Sequence, residues 1–402
     1  MPPHIQQAQI KNYKSIGQAV VDLGRFTALV GTNGAGKSNF IDALAFVAEC
    51  LSSSIEMAFK NRGGIGAVRR RSGGHPYHIG LRLSLDLGEG AVADYSFQIA
   101  AKPKERFHIS HERCHVRRPL EPDSSFEVEN GRFIREIAGL RPQVATDRLA
   151  LYAASATEEF RPVYDFLTSI RLYSIEPGRL RELQDPDLGD FLKPDGSNAA
   201  AVLKQLRDRH PDRYARICRL LADVVAGVES VDYKAVGQKE TLLFKQDVGL
   251  RDAWEFGAIN MSDGTLRVLG LLLAAYQTQP ASVVAIEEPE ATVHPAASEL
   301  LIQVLLDASH ERQILITTHS PDILDSKDLR DEQIRVVFKQ RGQTLIAPIA
   351  AASKQAIREH LYTPGELLRS NELDPDRKAA RELAQQLHLF GQPTAAGSVV
   401  GE

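Results

Sequence analysis

Gly31-Thr32-Asn33-Gly34-Ala35-Gly36-Lys37-Ser38 is the stretch from which the rest of this chain is read. It fits G-x-x-x-x-G-K-[ST], a glycine-rich loop that cradles phosphate. Its glycines let the backbone turn tightly and bring N–H groups close to phosphate oxygens. Lys37 is placed to reach the β- and γ-phosphates of a nucleotide, and the Ser38 hydroxyl to bind Mg²⁺. The setting agrees. Thr27-Ala28-Leu29-Val30 reads as a short buried strand, and Phe40, Ile41, Leu44, Val47 and Leu51 recur at helical spacing after the loop.

Outward from the loop, the length of 402 residues allows two or three domains, or one domain with a large insertion. A 43% hydrophobic and 25% charged composition is that of an ordinary globular protein. The net charge of −4 does not announce nucleic-acid binding and leaves room only for a local basic surface. Cys50, Cys114 and Cys218 lie far apart and form no metal or disulfide pattern, which fits a reducing cytoplasm. No apolar run approaches the roughly 20 residues of a membrane span, so no membrane partner is expected. The opening Met1-Pro2-Pro3-His4-Ile5-Gln6 lacks the regions of a signal peptide.

Residues 4–30 read as strands leading into the loop. Lys11-Asn12-Tyr13-Lys14-Ser15 joins the first two, where a lysine could touch a nucleotide phosphate. Residues 60–75 read as a Gly-rich basic loop; Arg69, Arg70 and Arg71 either contact a nucleic-acid backbone or are simply solvated. No aromatic residue is interleaved there for base stacking. Ile79, Leu81, Leu83, Leu85 and Leu87 alternate with polar residues, and with 91–101 they form an antiparallel hairpin. Residues 108–116 and 126–134 extend that sheet. From about 145 to 230 the pattern is helical: Tyr214, Ile217, Leu221 and Val224 mark one face, and Asn198 is placed to open the helix carrying Val202 and Leu206. The polar stretch 375–402 ends in a tip expected to fray.

The second half of the site lies far along the chain. Ser282-Val283-Val284-Ala285-Ile286 is an apolar strand ending in Glu287-Glu288-Pro289-Glu290. Carboxylates at the C-terminal end of such a strand belong beside a phosphate loop. Glu287 is assigned to the metal and Glu288 to the attacking water. Gln313 to Thr318 is another buried strand, whose tip carries His319 near the γ-phosphate. Ala297, Leu300, Leu301, Val304 and Leu305 mark the crossover helix between the two strands. Ser262 stands at the N-cap of a helix marked by Leu266, Leu269, Leu273 and Tyr276, with Gly264 next to it. Capping alone explains it; a helix N-terminus is also an anion site. One nucleotide does not need two phosphate sites in one subunit, so this helix is expected to bind the nucleotide of a second subunit.

Together these residues resemble the ABC-type ATPase heads of the RecF, structural-maintenance-of-chromosomes and overcoming-lysogenization-defect group. More narrowly, they are similar to the stand-alone AAA-family ATPases of bacteria. Ile10 to Ile16 looks like that group's opening strand, and Gly31 to Asn39 like its Walker A. Met261 to Arg267 resembles its signature motif. Ile286 to Glu290 with His294-Pro295 resembles its Walker B and D-loop, and Thr318 to Pro321 its switch histidine. The resemblance implies an α/β fold: a P-loop NTPase of the ABC type, its mixed sheet carrying an antiparallel β region and a helical insertion. It divides the chain into an N-terminal head lobe (1–105), an inserted region (106–250), a C-terminal head lobe (251–345) and a tail (346–402). It implies an ATPase that binds ATP and Mg²⁺ through Gly31, Asn33, Gly34, Ala35, Gly36, Lys37, Ser38, Asn39 and Lys14. Glu287 joins Ser38 at the metal, and Glu288, His319 and Lys37 are catalytic. It implies a homodimer with ATP at its interface, Ser262 and Gly264 of one head facing the γ-phosphate held by the other. Gln98 and Gln143 are the candidates for the group's metal-contacting glutamine. The expected output is DNA repair or anti-phage defence, with DNA a candidate partner. The alternative is a scaffold with slow hydrolysis that holds an effector protein such as a nuclease. A transporter subunit is disfavoured by the Ser-Asp-Gly-Thr signature and the insertion, and a P-loop kinase leaves Ser262 and His319 without roles.

Overall fold

Residues 2–70, 78–102, 106–135, 147–249, 252–277 and 281–391 are described by a computed structural model of the chain. Three strands open it: β1 (His4–Tyr13), β2 (Ile16–Asp22) and β3 (Phe26–Val30), the last feeding the glycine loop and the P-loop helix Lys37–Ser52. An antiparallel run follows: β4 (Ile79–Gly88), β5 (Ala91–Ala101), β6 (Phe107–Arg117), β7 (Ser124–Glu129) and β8 (Arg132–Arg135). Short β9 (Arg171–Tyr173) sits within the helical stretch. β10 (Val228–Val236), β11 (Lys239–Gln246) and β12 (Trp254–Gly257) form a small separate sheet. The last strands are β13 (Val283–Glu287), β14 (Gln313–Thr318), β15 (Ile334–Gln340) and β16 (Gln343–Pro348). Apart from β10 to β12 they make one 13-stranded sheet in the order β8-β7-β6-β5-β4-β1-β2-β16-β15-β3-β14-β13-β9. The expected mixed α/β sheet with an antiparallel region is what is found.

Alternation along the central strands sorts their side chains to two cores. In β13, Val283 and Ala285 pack with the P-loop helix residues Phe40, Ile41, Leu44 and Val47. Val284 and Ile286 pack on the opposite face, with the helices Asp263–Tyr276 and Pro295–Ala308. β3, β13 and β14 are parallel neighbours covered on both faces, which is why they read as unbroken apolar runs rather than as alternation. In β4, Ile79, Leu81, Leu83 and Leu85 are buried in the first core, while the alternate Arg82 and Ser84 are buried on the other face, which the tail crosses.

Three expectations change in detail. Residues 60–70 are not a free basic loop: Ile65–Val68 is a helical turn, Arg69 bridges Tyr13, and Arg62 pairs with Asp42 and Glu49. Arg71 lies outside the described residues. Asn198 does stand at the N-cap of helix Ala199–Arg209, but its side chain ties down the preceding loop instead. Its carbonyl accepts from Lys193 N–H, and its amide donates to Asp187 and to Phe191 O. Leu172 and Tyr173, in a segment between the helices of the stretch 145–230, belong to β9, parallel to β13. The tail forms helix Arg377–Gln385 and then crosses the antiparallel region, where Arg82 and Arg113 donate to His388 O and Phe390 O. Its tip, 392–402, lies outside the described residues. Among the described residues no helix is long and apolar enough to cross a membrane.

Candidate functional site

The parallel pairing of β3, β14 and β13 sets Thr318 beside Val30 and Thr317 beside Glu287. The glycine loop, His319 and Glu288 therefore leave the sheet at the same C-terminal edge, where ligands bind in such sheets. Gly36 stands at the N-cap of the P-loop helix with φ 111°, a left-handed conformation open to glycine. Thr32, Asn33, Gly34 and Ser38 are exposed, while Ala35 and Lys37 are buried. Lys37 Nζ folds back over the loop and donates to Gly31 O at 2.6 Å and Thr32 O at 3.3 Å. Burial lowers the Lys37 pKa, and the carboxylates of Glu288 and Glu290 oppose that.

Glu288 has φ 44°, a left-handed backbone unusual for a residue with a side chain. Its N–H donates to Thr317 O at 3.0 Å, and its carboxylate lies 3.1 Å from His319 Nδ1. Glu290 accepts from Thr318 Oγ1 at 2.6 Å, while its other oxygen is buried without a partner. Glu287 lines a cavity of about 350 Å³ that runs along the P-loop helix past Ala45, Ala48 and Ser174. Ser38, Glu287 and Glu290 each offer an oxygen of the hard kind that suits Mg²⁺, and the lining of the Glu287 cavity includes neither Ser38 nor Glu290.

Ser262 caps helix Asp263–Tyr276: its Oγ accepts from Thr265 N–H at 3.1 Å and lies 2.8 Å from Thr265 Oγ1. Gly264 abuts the D-loop, where a Cβ would come within 2.7 Å of Thr292 O. Ser262, Gly264, Thr292 and His294 open on a groove of about 640 Å³ whose lining includes no residue of the loop 31–38.

Lys14 and Asn39 have other partners in this chain. Lys14 pairs with Asp42 of the P-loop helix at 2.6 Å, and Asp42 also accepts from Tyr13 Oη and Arg62 Nε. Asn39 Nδ2 donates to Ser15. Gln98 bonds Ser110 on β6, and its strand β5 lies six strands from β3. Gln143 lies outside the described residues. The position beside β13 is taken by β9, followed by Ser174 and Ile175.

Sequence reasoning placed Arg267 at the end of the signature stretch and gave it no role of its own. It is 8% exposed, and its guanidinium donates to Ile175 O at 2.7 Å, Glu287 O at 3.0 Å and Glu288 O at 2.7 Å. Burial lowers its pKa, and Glu290, Glu288 and Glu287 oppose this. Helix Asp263–Tyr276 is thereby fastened to the backbone of Glu287 and Glu288. The available signal was a lone charge in the apolar run Leu266 to Tyr276.

Residues 26–325 match the family described as "AAA domain, putative AbiEii toxin, Type IV TA system". The chain is similar to the OLD nuclease of Thermus scotoductus, 24% identical over 364 residues that take in 85% of this chain and 63% of that protein. It therefore spans less than two thirds of that relative. A shorter stretch of 44 residues is 46% identical to the chromosome partition protein Smc of Methanocaldococcus jannaschii, covering 11% of this chain and 4% of that one. Among solved structures, the Pyrococcus furiosus Smc head domain with an extended coiled coil, bound to the C-terminal domain of ScpA, aligns with a TM-score of 0.53. That alignment has 15% identity and covers 89% of this chain and 99% of that one. An SmcHead bound to the C-winged helix domain of ScpA gives 0.52 at 16%, covering 87% and 99%.

Proposed function

The chain belongs to that AAA-domain family, with an ABC-type ATPase fold related to the OLD, SMC and RecF group, and from this premise we propose that it hydrolyses Mg-ATP, two copies closing around the nucleotide. The observation that carries the reading is the register of β3, β14 and β13, which brings Lys37, Glu288 and His319 to one edge of the sheet. The exposed loop N–H groups bind the phosphates, and Lys37 leaves Gly31 O and Thr32 O for the β- and γ-oxygens. Ser38 and Glu287 hold Mg²⁺, which when bound neutralises charge on those oxygens. Glu288 orients a water and accepts its proton as the water oxygen bonds the γ-phosphorus and the bond to the ADP oxygen breaks. His319 holds the Glu288 carboxylate and reads the γ-phosphate. Ser262, Gly264 and the following helix N-terminus present N–H groups to the nucleotide of the second copy.

Replacing Glu288 with Gln keeps the binding geometry and removes the base. This variant is expected to hold ATP in a dimer on size-exclusion with multi-angle scattering, with Mg-ATP present and not without it. A variant that stays monomeric, or turns ATP over like the parent, refutes the reading. DNA repair or anti-phage defence is the output we infer from the likeness to an OLD nuclease and to Smc, by analogy of fold. A second reading, an ATP-held scaffold for an effector protein, is favoured by the ScpA domains seated on the Smc heads. Turnover per subunit, measured with DNA and without it, separates the two.

A further inference from the structure

Behind the P-loop, side chains from both ends of the chain form a directed run of hydrogen bonds. Thr344 on β16 is fully buried, and its hydroxyl donates to Ala35 O at 2.7 Å. A hydroxyl has one proton, and a carbonyl can only accept. The 2.7 Å contact between Thr344 Oγ1 and Ser15 Oγ is therefore donated by Ser15. Ser15 Oγ in turn accepts from Asn39 Nδ2 at 2.6 Å. The run has one direction, Asn39 to Ser15 to Thr344 to Ala35: it leaves the first turn of the P-loop helix and returns to the loop. Thr344 N–H also donates to Ser15 O at 2.9 Å, and β2 and β16 meet at the pair Ile16 and Thr344. Gly36 presses against this point, since a Cβ there would lie 2.2 Å from Thr344 Oγ1. Neither Ser15 nor Thr344 falls within the matched residues 26–325.

We propose that Thr344 is a positioning residue for nucleotide binding, its hydroxyl holding the Ala35 carbonyl so that the loop keeps its phosphate-accepting form. In a trans peptide the C=O of one residue and the N–H of the next point in opposite directions. Drawing Ala35 O inward to the buried Thr344 aims the Gly36 N–H outward, to the side where Thr32, Asn33, Gly34 and Ser38 are exposed. Preset N–H groups bind an anion without the cost of reorganising the loop.

The inference rests on the Mg-ATP reading, and the test keeps the two apart. Equilibrium titration with a fluorescent ATP analogue in Mg²⁺ compares the parent with Lys37→Ala, Thr344→Val, Thr344→Ser, Ser15→Ala and the Ser15→Ala/Thr344→Val double variant. Losing the Thr344 hydroxyl is expected to weaken affinity about three- to tenfold, while Thr344→Ser, which keeps the oxygen, stays within about twofold of the parent. The double variant is expected to lose less than the two singles combined, because they cut one chain of bonds. A packing role alone moves the melting temperature of the nucleotide-free protein and leaves affinity and the Ser rescue untouched. Parent-like affinity in Thr344→Val, or equal losses in the Val and Ser forms, overturns the proposal. Should Thr344→Val fail to fold, Thr344→Ala removes the same hydroxyl, and parent-like affinity there overturns it. Equal titrations for the parent and Lys37→Ala overturn the nucleotide reading itself.

Discussion

Replacing Arg267 with Met is expected to slow ATP hydrolysis while leaving ATP binding nearly intact. The guanidinium makes three hydrogen bonds to main-chain carbonyls, two of them on Glu287 and Glu288. At the low end of about 1.5 kcal/mol for a charge-assisted bond, they contribute roughly 4–5 kcal/mol in gross terms. Burying the guanidinium costs several kcal/mol in the other direction, and an unbranched apolar side chain of similar length recovers that. The net loss of stability is then about 1–3 kcal/mol, a fall of a few degrees in Tm. The effect on catalysis is larger. Glu288 holds φ at 44°, a conformation that costs a non-glycine residue about 1–3 kcal/mol and persists only where its surroundings enforce it. Arg267 and the Ala291 N–H on its carbonyl, with Thr317 O on its N–H, are that enforcement. With Arg267 gone the peptide relaxes and the carboxylate leaves its place beside His319. A displacement of about 1 Å costs on the order of 100-fold, so kcat should fall about 10- to 100-fold with KM close to the parent's. Phosphate release at saturating Mg-ATP, beside a thermal melt, measures both. A kcat within about twofold of the parent's, in a protein that melts where the parent does, refutes the reasoning.

Gly264→Ala puts a Cβ within 2.7 Å of the Thr292 carbonyl and pushes the signature helix off the D-loop. ATP binding by the chain's own P-loop should persist, while the ATP-dependent dimer of the Glu288→Gln form weakens by about tenfold or more; a dimer of unchanged stability on scattering counts against Ser262 and Gly264 as the trans contact. Glu112 gives a pH dependence unrelated to the site. It is fully buried on β6 and accepts from Ala150 N–H, Leu151 N–H and Tyr95 Oη. Burial nonetheless pushes its pKa from an ordinary 4.5 up to about 7. Between those values the folded chain holds a proton that the unfolded chain releases. This group's contribution to stability therefore falls as pH rises from about 4.5 to about 7, by about 3 kcal/mol in all, and is flat above that. Glu112→Gln should remove that slope from Tm measured across pH 4.5 to 8, and an unchanged slope would show that another group sets it.

The parts of this protein legible in the sequence are those that short-range chemistry dictates. Gly31 to Ser38 announced itself because a phosphate loop needs glycines, a lysine and a hydroxyl at fixed offsets within eight residues. The strand ending at Glu287 and Glu288, the strand tipped by His319 and the cap at Ser262 were equally local patterns. So was the alternation from Ile79 to Leu87, which records that one face of that strand meets the core. Contact also reshaped the basic stretch around Arg69: Arg62 pairs with Asp42 and Glu49, and the backbone of Arg69 bridges Tyr13.

Periodicity and spacing could not announce the partners. Arg267 read as one charge on an apolar helix, and nothing within a turn of it indicated Ile175, 92 positions away, or the Glu288 carbonyl. Ser15 and Thr344 are separated by 329 positions, yet their hydroxyls meet behind Ala35. Asp42 is an ordinary helix residue until Tyr13, Lys14 and Arg62 converge on it. The chain's own chemistry marked the phosphate loop and the strands and helices that carry the candidate site. The tertiary structure alone determined which strands stand side by side and which buried donor meets which acceptor. The reason is physical: a backbone conformation is chosen by residues within a turn of one another, whereas a polar group removed from water must find a partner wherever the packed chain brings one.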